Sequence, residues 1–314
     1  MIRQMKKQLF LAELNSLQKK SKIQNELYFY RPVMEITTRI GCRVACKACP
    51  QTLLAKQYAV KKRKGMGSEL SFGVFCKCVN KLPQSCVVVF SGMCEPFLNR
   101  RCADMICYAS KKGRRIDLYT SLEGMKRRDF QKIKNIPFGN VVLHIPDREG
   151  YTQIGLTEDY FWLLDAMLGT KRPDGKPFVT GVSCHGHPEK RAEQYLRRYG
   201  YSKKEPDVMI DRAGNLEEKK LGSQSVTGAL FCTRSSFYNH NVLLPDGSVL
   251  LCCMDYGMRH VLGNLLEADY QELMRSVERR RIRQACGHSG GWDVLCRRCT
   301  AAIAYRNVRF WHYK

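Results

Sequence analysis

Cys42, Cys46 and Cys49 lie in the run GCRVACKACPQ, spaced C-x3-C-x2-C, directly behind an apolar stretch, Met34–Ile40. Three thiolates on one short loop can ligate three irons of a 4Fe-4S cluster and leave the fourth iron without a protein ligand. Most electron-carrying clusters are held by four Cys, so an open iron points to a place where a substrate or cofactor binds, and hence to an enzyme. A structural zinc site needs four ligands, usually as two close pairs, and no fourth Cys or His lies near this triplet.

A second set of thiols stands near the C-terminal end. Cys232 and Cys252 bracket Gly247 with fourteen and four intervening residues, and Cys296-x2-Cys299 follows downstream. Four thiolates from a hairpin and a distant pair can fully ligate one 4Fe-4S cluster; two separated pairs also suit tetrahedral zinc. Cys253 adjoins Cys252 and is an alternative ligand, and Cys286 is a spare thiol or a replacement. Cys76, Cys78, Cys86, Cys102, Cys107 and Cys184 fall within helical or strand-like runs and read as small buried apolar residues.

The elements that must position these groups alternate. Strand-like runs are expected at Met34–Ile40, Cys86–Phe90, Arg115–Thr120, Asn140–Ile145, Phe178–Cys184 and Asp207–Ile210. Helical segments fall between most of them, at Phe72–Leu82, Arg101–Lys112, Lys126–Lys134, Tyr160–Leu168 and Glu189–Tyr199. Strands alternating with helices call for parallel pairing with right-handed crossovers, here an α/β fold, a (β/α)6 partial TIM barrel. Residues 1–33 read as a helical lead-in, 34–214 as the barrel and 215–314 as a small α+β unit. That last unit carries a hairpin, Asn241–Leu244 and Ser248–Leu251 around Pro245-Asp246-Gly247, and a helix near Tyr270–Gln284. Parallel barrels present reactive groups after the C-terminal ends of their strands. There the sequence places the three thiols, then Ser91–Pro96, then Thr120 and Ser121. His144, Asp147 and Arg148 follow, then His185 and His187, then Asp211 and Arg212. No single catalytic residue stands out; His144, Asp147, Arg148, His185, Asp211 and Arg212 are the candidates for acid, base or substrate contact.

The triplet and its surroundings resemble the radical S-adenosylmethionine (SAM) superfamily. The resemblance implies that the open iron chelates SAM, and that an electron from the cluster cleaves SAM to a radical that takes a hydrogen atom from the substrate. It also implies an external electron donor such as flavodoxin or ferredoxin. Ser91-Gly92-Met93-Cys94-Glu95-Pro96 resembles the Gly-Gly-Glu-Pro motif that holds the SAM ammonium, with Gly92 and Glu95 as the matching residues and Cys94 in place of a glycine. Thr120 and Ser121 are hydroxyls suited to the SAM ribose or carboxylate. Ala48 stands where the family usually carries an aromatic residue that holds adenine. The Cys232–Gly247–Cys252 spacing, with Asp255 and Gly263-Asn264-Leu265, is similar to the SPASM and Twitch extensions. With Tyr305 where a further Cys would continue the last pair, the one-cluster Twitch form is the better match. A second 4Fe-4S cluster on Cys232, Cys252, Cys296 and Cys299 is thereby implied.

The 314 residues carry a formal charge of +24, spread over many short runs, and 16 Cys. Such charge favours anionic partners: nucleic acid, phosphorylated or nucleotide-linked sugars, or an acidic membrane surface. No RNA-recognition motif accompanies the basic runs, which makes nucleic acid the weaker reading. No apolar run reaches the ~18 residues of a membrane span, and the N-terminus has no secretory pattern. A cytoplasmic location is expected, where thiols stay reduced. The leading expectation is a radical SAM oxidation or rearrangement of a polar small molecule, sugar-like or nucleotide-linked. The alternatives are a peptide-modifying radical enzyme and a non-catalytic RNA-binding iron–sulfur protein.

Overall fold

The computed structural model describes residues 31–203, 205–216, 225–235, 237–287 and 293–304. Nearly all of the expected N-terminal helix lies outside the described residues.

Five parallel strands follow the alternation: β1 (Val33–Ile36), β2 (Val87–Phe90), β3 (Ile116–Thr120), β4 (Val141–His144) and β5 (Gly181–Ser183). Between them run α1 (Gln51–Lys61), α2 (Phe72–Asn80), α3 (Cys102–Lys111), α4 (Arg127–Ile133) and α5 (Glu158–Gly169), with α6 (Lys190–Arg198) after β5. Helix starts are written locally. Ser71 Oγ accepts from Val74 N at 3.2 Å, and Thr157 Oγ1 accepts from Tyr160 N at 3.1 Å, each satisfying an amide that the helix leaves unpaired.

β1 and β2 are buried on both faces, while β3 exposes Tyr119 and β4 and β5 keep partly exposed positions; alternation separates the two sides. Met34, Ile36, Val88, Phe90, Leu118 and Leu143 join the helix-side core with Phe75, Met105 and Ile106. Val33, Val87 and Val89 form a separate small cluster on the inner side. On that inner side the same strands also carry Glu35, Tyr119 and His144.

Three expectations are corrected. The sixth strand, Asp207–Ile210, does not form. Its chain stays beside the end of β5 through Asp207 N donating to Cys184 O (2.7 Å) and Cys184 N donating to Asp207 Oδ2 (2.7 Å), without a ladder. The hairpin expected in the C-terminal unit instead extends the same sheet: β7 (His240–Leu243) pairs parallel with β1. β8 (Ser248–Leu250) and β9 (Val261–Asn264) then continue antiparallel. The order is β5-β4-β3-β2-β1-β7-β8-β9, so β1 lies inside the sheet rather than at a barrel edge. β6 (Leu230–Cys232) pairs antiparallel with β10 (Ala302–Ala304). The expected helix near Tyr270–Gln284 is two, α7 (Tyr270–Met274) and α8 (Val277–Gly287). Gly247 at the hairpin turn has φ +86°, and a Cβ there would meet Asn264 Oδ1 at 2.6 Å.

Candidate active site

The loop after β1 brings its three thiols together. Ala45 turns it with φ 44°, and Cys49 N donates to Cys46 O at 3.0 Å. The loop is braced from outside: Lys47 N donates to Tyr151 O at 2.8 Å and Gln153 N to Val44 O at 2.6 Å, both from the segment after β4. Gln51 Nε2 donates to Met93 O in the segment after β2. Burial pushes the Cys46 thiol up to about 12, and the negative charge of neighbouring Cys49 and Cys42 adds to it. Burial raises Cys42 as well, against the backbone amides of Glu95 and Val44. Thiols that resist ionisation while crowded together are relieved by a metal that binds them as thiolates. The donor set therefore fits an iron–sulfur group.

The loop after β2 touches the first sulfur. Glu95 N donates to Cys42 Sγ at 3.4 Å. The approach depends on Gly92: its φ is +51°, and a Cβ would stand 2.6 Å from Ile36 O and 2.7 Å from Thr37 Cα. The Glu95 carboxylate is buried and engaged. It accepts from Phe97 N (3.1 Å), Thr120 Oγ1 (2.7 Å), Ser121 N (2.6 Å) and Ser121 Oγ (2.7 Å). Burial raises its pKa in spite of these donors. The three residues named separately from sequence thus form one hydrogen-bonded unit beside the thiol loop. Cys94 points behind the loop, where Thr38 Oγ1 lies 3.4 Å from its sulfur.

The remaining candidates divide. His144 and His185 are brought together with ring centroids 4.5 Å apart. His144 Nδ1 lies 2.8 Å from Ser183 Oγ. His144 Nε2 and His185 Nδ1 are buried without a partner. Burial drives His144 down to about 4, helped by the charge of His185, and burial also lowers His185. Arg212 reaches the thiol loop, its Nε donating to Ala48 O at 3.3 Å. The other three are engaged by neighbouring backbone and side chains. Asp147 accepts from Tyr151 N, Thr152 N and Thr152 Oγ1 and folds its own loop. Arg148 donates to Pro188 O at 2.8 Å and pairs with Glu193 on α6. Asp211 Oδ1 accepts from Ala213 N at 3.0 Å and holds the turn that carries Arg212.

Sequence reading missed Glu35, Tyr119, Arg234, His240 and Tyr256. Glu35 is a buried acid in the otherwise apolar run VMEI; its Oε1 lies 2.8 Å from His240 Nε2, and Ser91 Oγ donates to Oε2 at 3.3 Å. Burial opposes its charge, but His240 and Arg234 overcome it and lower its pKa. A lone carboxylate at an inward position of a buried strand was the available signal. Tyr256 OH, from the segment after β8, lies 3.5 Å from Cys49 Sγ.

The second thiol set also converges. Cys232 ends β6, Cys252 follows β8, Cys296 lies within a short 3-10 turn (Leu295–Arg298) and Cys299 caps it. The Cys252 and Cys232 charges both reach Cys296, and that of Cys232 reaches Cys299. Cys286 joins from α8: the Cys296 thiol donates to it and, with Tyr238, pulls its pKa down to about 7. Cys253 turns the other way, toward Glu35 and Arg234. Among the described residues no group of three or more His, Cys, Asp or Glu is gathered tightly enough for a single metal ion. Thiolates of a four-iron cluster each sit on their own iron and stand further apart than the sulfurs around one zinc, whose bonds are about 2.3 Å.

Residues 232–300 match the family model SPASM, an iron-sulfur cluster-binding domain. The fold is shared with BtrN in complex with AdoMet and 2-DOIA, at TM-score 0.54 and 16% identity over 82% of this chain and 88% of that one. Selenomethionine BtrN in an open conformation matches at TM-score 0.51 and 14% identity, over 86% of this chain and 92% of that one. SuiB of Streptococcus suis bound to precursor peptide SuiA matches more loosely, at TM-score 0.48 and 10% identity over 92% and 74%. No curated protein matches the sequence. The expected iron–sulfur extension is borne out by the SPASM match, and the expected α/β fold by the fold shared with BtrN. No described helix is long and apolar enough to cross a membrane.

Proposed function

We propose that this chain is a radical SAM enzyme that abstracts a hydrogen atom from a polar, sugar-like or nucleotide-linked small molecule. The observation that carries the reading is the joining of the thiol loop to the acid loop: Glu95 N on Cys42 Sγ, with the Glu95 carboxylate tied to Thr120 and Ser121. Cys42, Cys46 and Cys49 would hold a 4Fe-4S cluster, and Cys232, Cys252, Cys296 and Cys299 a second. When bound, the first cluster supplies the electron that cleaves SAM and so begins hydrogen abstraction.

The chain's own groups do the rest. An ammonium placed against Glu95 favours the ionised carboxylate and offsets the cost of its burial. Thr120 and Ser121 orient that carboxylate by donating their hydroxyl protons to it, and the Ser121 oxygen is left able to accept a hydrogen bond, as from a ribose hydroxyl. His144, held neutral well below pH 7, and its neighbour His185 keep unpartnered ring nitrogens on the inner face. Neutral imidazoles of this kind can exchange a hydrogen bond with a substrate hydroxyl.

The test is anaerobic reconstitution with iron and sulfide, reduction, and assay of SAM cleavage. Wild type should yield 5′-deoxyadenosine, and Cys42, Cys46 and Cys49 replaced together by Ala should yield none. About half of the iron should remain in that variant, given two four-iron clusters. Reduced, iron-loaded wild type that leaves SAM intact with every sugar, nucleotide and peptide offered would reject the reading. Turnover of peptides alone would move the substrate to that class.

A further inference from the structure

The third thiol of the first set meets a residue from the C-terminal unit. Tyr256 Oη lies 3.5 Å from Cys49 Sγ, across 207 residues of sequence. Tyr256 is 4% exposed and belongs to the apolar cluster of Leu54, Met93, Val242, Leu244 and Met258. A buried hydroxyl is costly unless it is hydrogen-bonded. Among the described residues, the Cys49 sulfur is the one partner this phenol has. A cysteine binds metal as its thiolate, with no proton of its own to give. In that state the phenol is the donor and the sulfur the acceptor.

The turn that carries Tyr256 is fastened to the thiol loop. α1 starts two residues after Cys49 and buries Leu54 and Tyr58. It ends on Lys61, whose Nζ donates to Gly257 O at 3.2 Å and Met258 O at 2.9 Å. Within the turn, Tyr256 N donates to Met254 O and Met258 N to Asp255 O, each at 3.1 Å. Met258 has φ 48°, a left-handed conformation that costs energy in a non-glycine residue and persists only where the surroundings enforce it. Asn215 Nδ2 holds Met254 O at 2.8 Å. Bonds on both sides of residue 256 thus fix where its hydroxyl stands.

Reduction adds negative charge to a cluster and its sulfurs. A donor aimed at a ligand sulfur stabilises the reduced form more than the oxidised one and raises the potential. Glu95 N supplies one such donor from the barrel, to Cys42 Sγ at 3.4 Å. We propose that Tyr256 is a positioning residue that supplies another: its hydroxyl donates to the Cys49 thiolate and makes the first cluster easier to reduce. The proposal rests on the reading of Cys42, Cys46 and Cys49 as cluster ligands. It makes reduction of the first site depend on the C-terminal unit, which brings the phenol.

The test is a potentiometric titration of the anaerobically iron-loaded full chain, followed by electron paramagnetic resonance. The first cluster is the signal that disappears when Cys42, Cys46 and Cys49 are replaced together by Ala. Tyr256→Phe removes only the hydroxyl. It should lower the midpoint of that signal by about 59 mV, a tenfold change in a one-electron equilibrium, and leave iron content and the second signal as in wild type. A monofluorinated tyrosine at the same position is a stronger donor and should raise the midpoint, which a loss of packing would not do. With iron retained, an unchanged midpoint in Tyr256→Phe overturns the proposal. So does an equal shift of both signals, which would report a general change of packing. Should Tyr256→Phe fail to hold iron, the fluorinated variant decides: a raised midpoint supports the bond and an unmoved one overturns it. SAM cleavage on the same preparations keeps the two readings apart. Wild type that cleaves SAM with a midpoint indifferent to residue 256 rejects only the hydrogen bond. Wild type whose midpoint follows residue 256 but which never cleaves SAM rejects the radical function and keeps the hydrogen bond. Wild type that assembles no cluster on the first three thiols rejects both.

Discussion

Glu95 shows how one side chain joins three sequence signals. Its amide meets the first thiol, its carboxylate gathers Thr120 and Ser121, and Pro96 starts a short 3-10 turn behind it. Glu95→Gln keeps size but removes the charge and turns an acceptor into a donor facing two hydroxyls. SAM affinity is expected to fall about 10- to 100-fold, from the loss of a charge-assisted bond of roughly 1.5–3 kcal/mol. The absorption of the iron–sulfur centre should persist. Equilibrium binding of labelled SAM checks both. His144 carries a pH prediction. Its pKa falls from 6.5 toward about 4 on folding, mainly through burial, so between those values the unfolded chain holds more protons than the folded one. Stability must rise with pH across that window and be lost progressively as pH falls through it, by at most about 3 kcal/mol. Urea midpoints measured from pH 4.5 to 7 should climb, and His144→Gln should flatten the climb. The thiols and Glu95 were legible because their residue types and spacing are themselves the signal. Asp147 and Arg148 were less legible, since a polar residue after a strand looks the same whether it faces a substrate or, as here, bonds its own and neighbouring loops.

At the scale of elements, the second thiol set depends on how α8 meets the tail. His260 is 1% exposed; its Nδ1 lies 2.7 Å from Glu278 Oε1 on α8, and its Nε2 accepts from Leu295 N at 3.0 Å, next to Cys296. Asp255 holds the His260 backbone, its Oδ2 accepting from His260 N at 2.8 Å. His260→Ala would leave Leu295 N without its acceptor and Glu278 without one donor, a cost of about 2–3 kcal/mol. The expected outcome is a lower melting temperature and loss of the iron held by the C-terminal thiols, with SAM cleavage by the first set largely kept. Iron counting with parallel 5′-deoxyadenosine assay decides it. Most helices and the five central strands were readable from hydrophobic period, capping residues and turn chemistry. Residues 207–210 were not: a short apolar run is strand-like by composition, but here no neighbour offers a ladder beyond Asp207.

Across the whole molecule, the sheet makes the two thiol sets parts of one body. β1 leads into the first set and pairs with β7; β8, next in the sheet, leads into Cys252. The turn at 211–215 spans the same gap, bonded to Ala48 on one side and Met254 on the other. A chain ended at residue 228 would expose the inner edge of β1, whose unpaired amides and carbonyls invite other strands. Such a truncation is expected to aggregate rather than survive as a half-size enzyme; size-exclusion chromatography of the refolded fragment would show which. The +24 charge belongs to this scale as well. Much of the described outer surface pairs its arginines with acids, as Arg43 with Glu123 and Arg191 with Glu158.

The amino-acid order alone determined the ligand chemistry and the repeating strand–helix plan, because both are local: thiols a few residues apart share a loop, and apolar period follows helix or strand geometry. Tertiary structure decided which residues face the inner space, that Glu35, Tyr119 and Arg234 meet there, and that a C-terminal hairpin completes the sheet beside β1. Those are contacts between segments tens to hundreds of residues apart, set by packing and by backbone ladders seeking partners, and no local pattern encodes them.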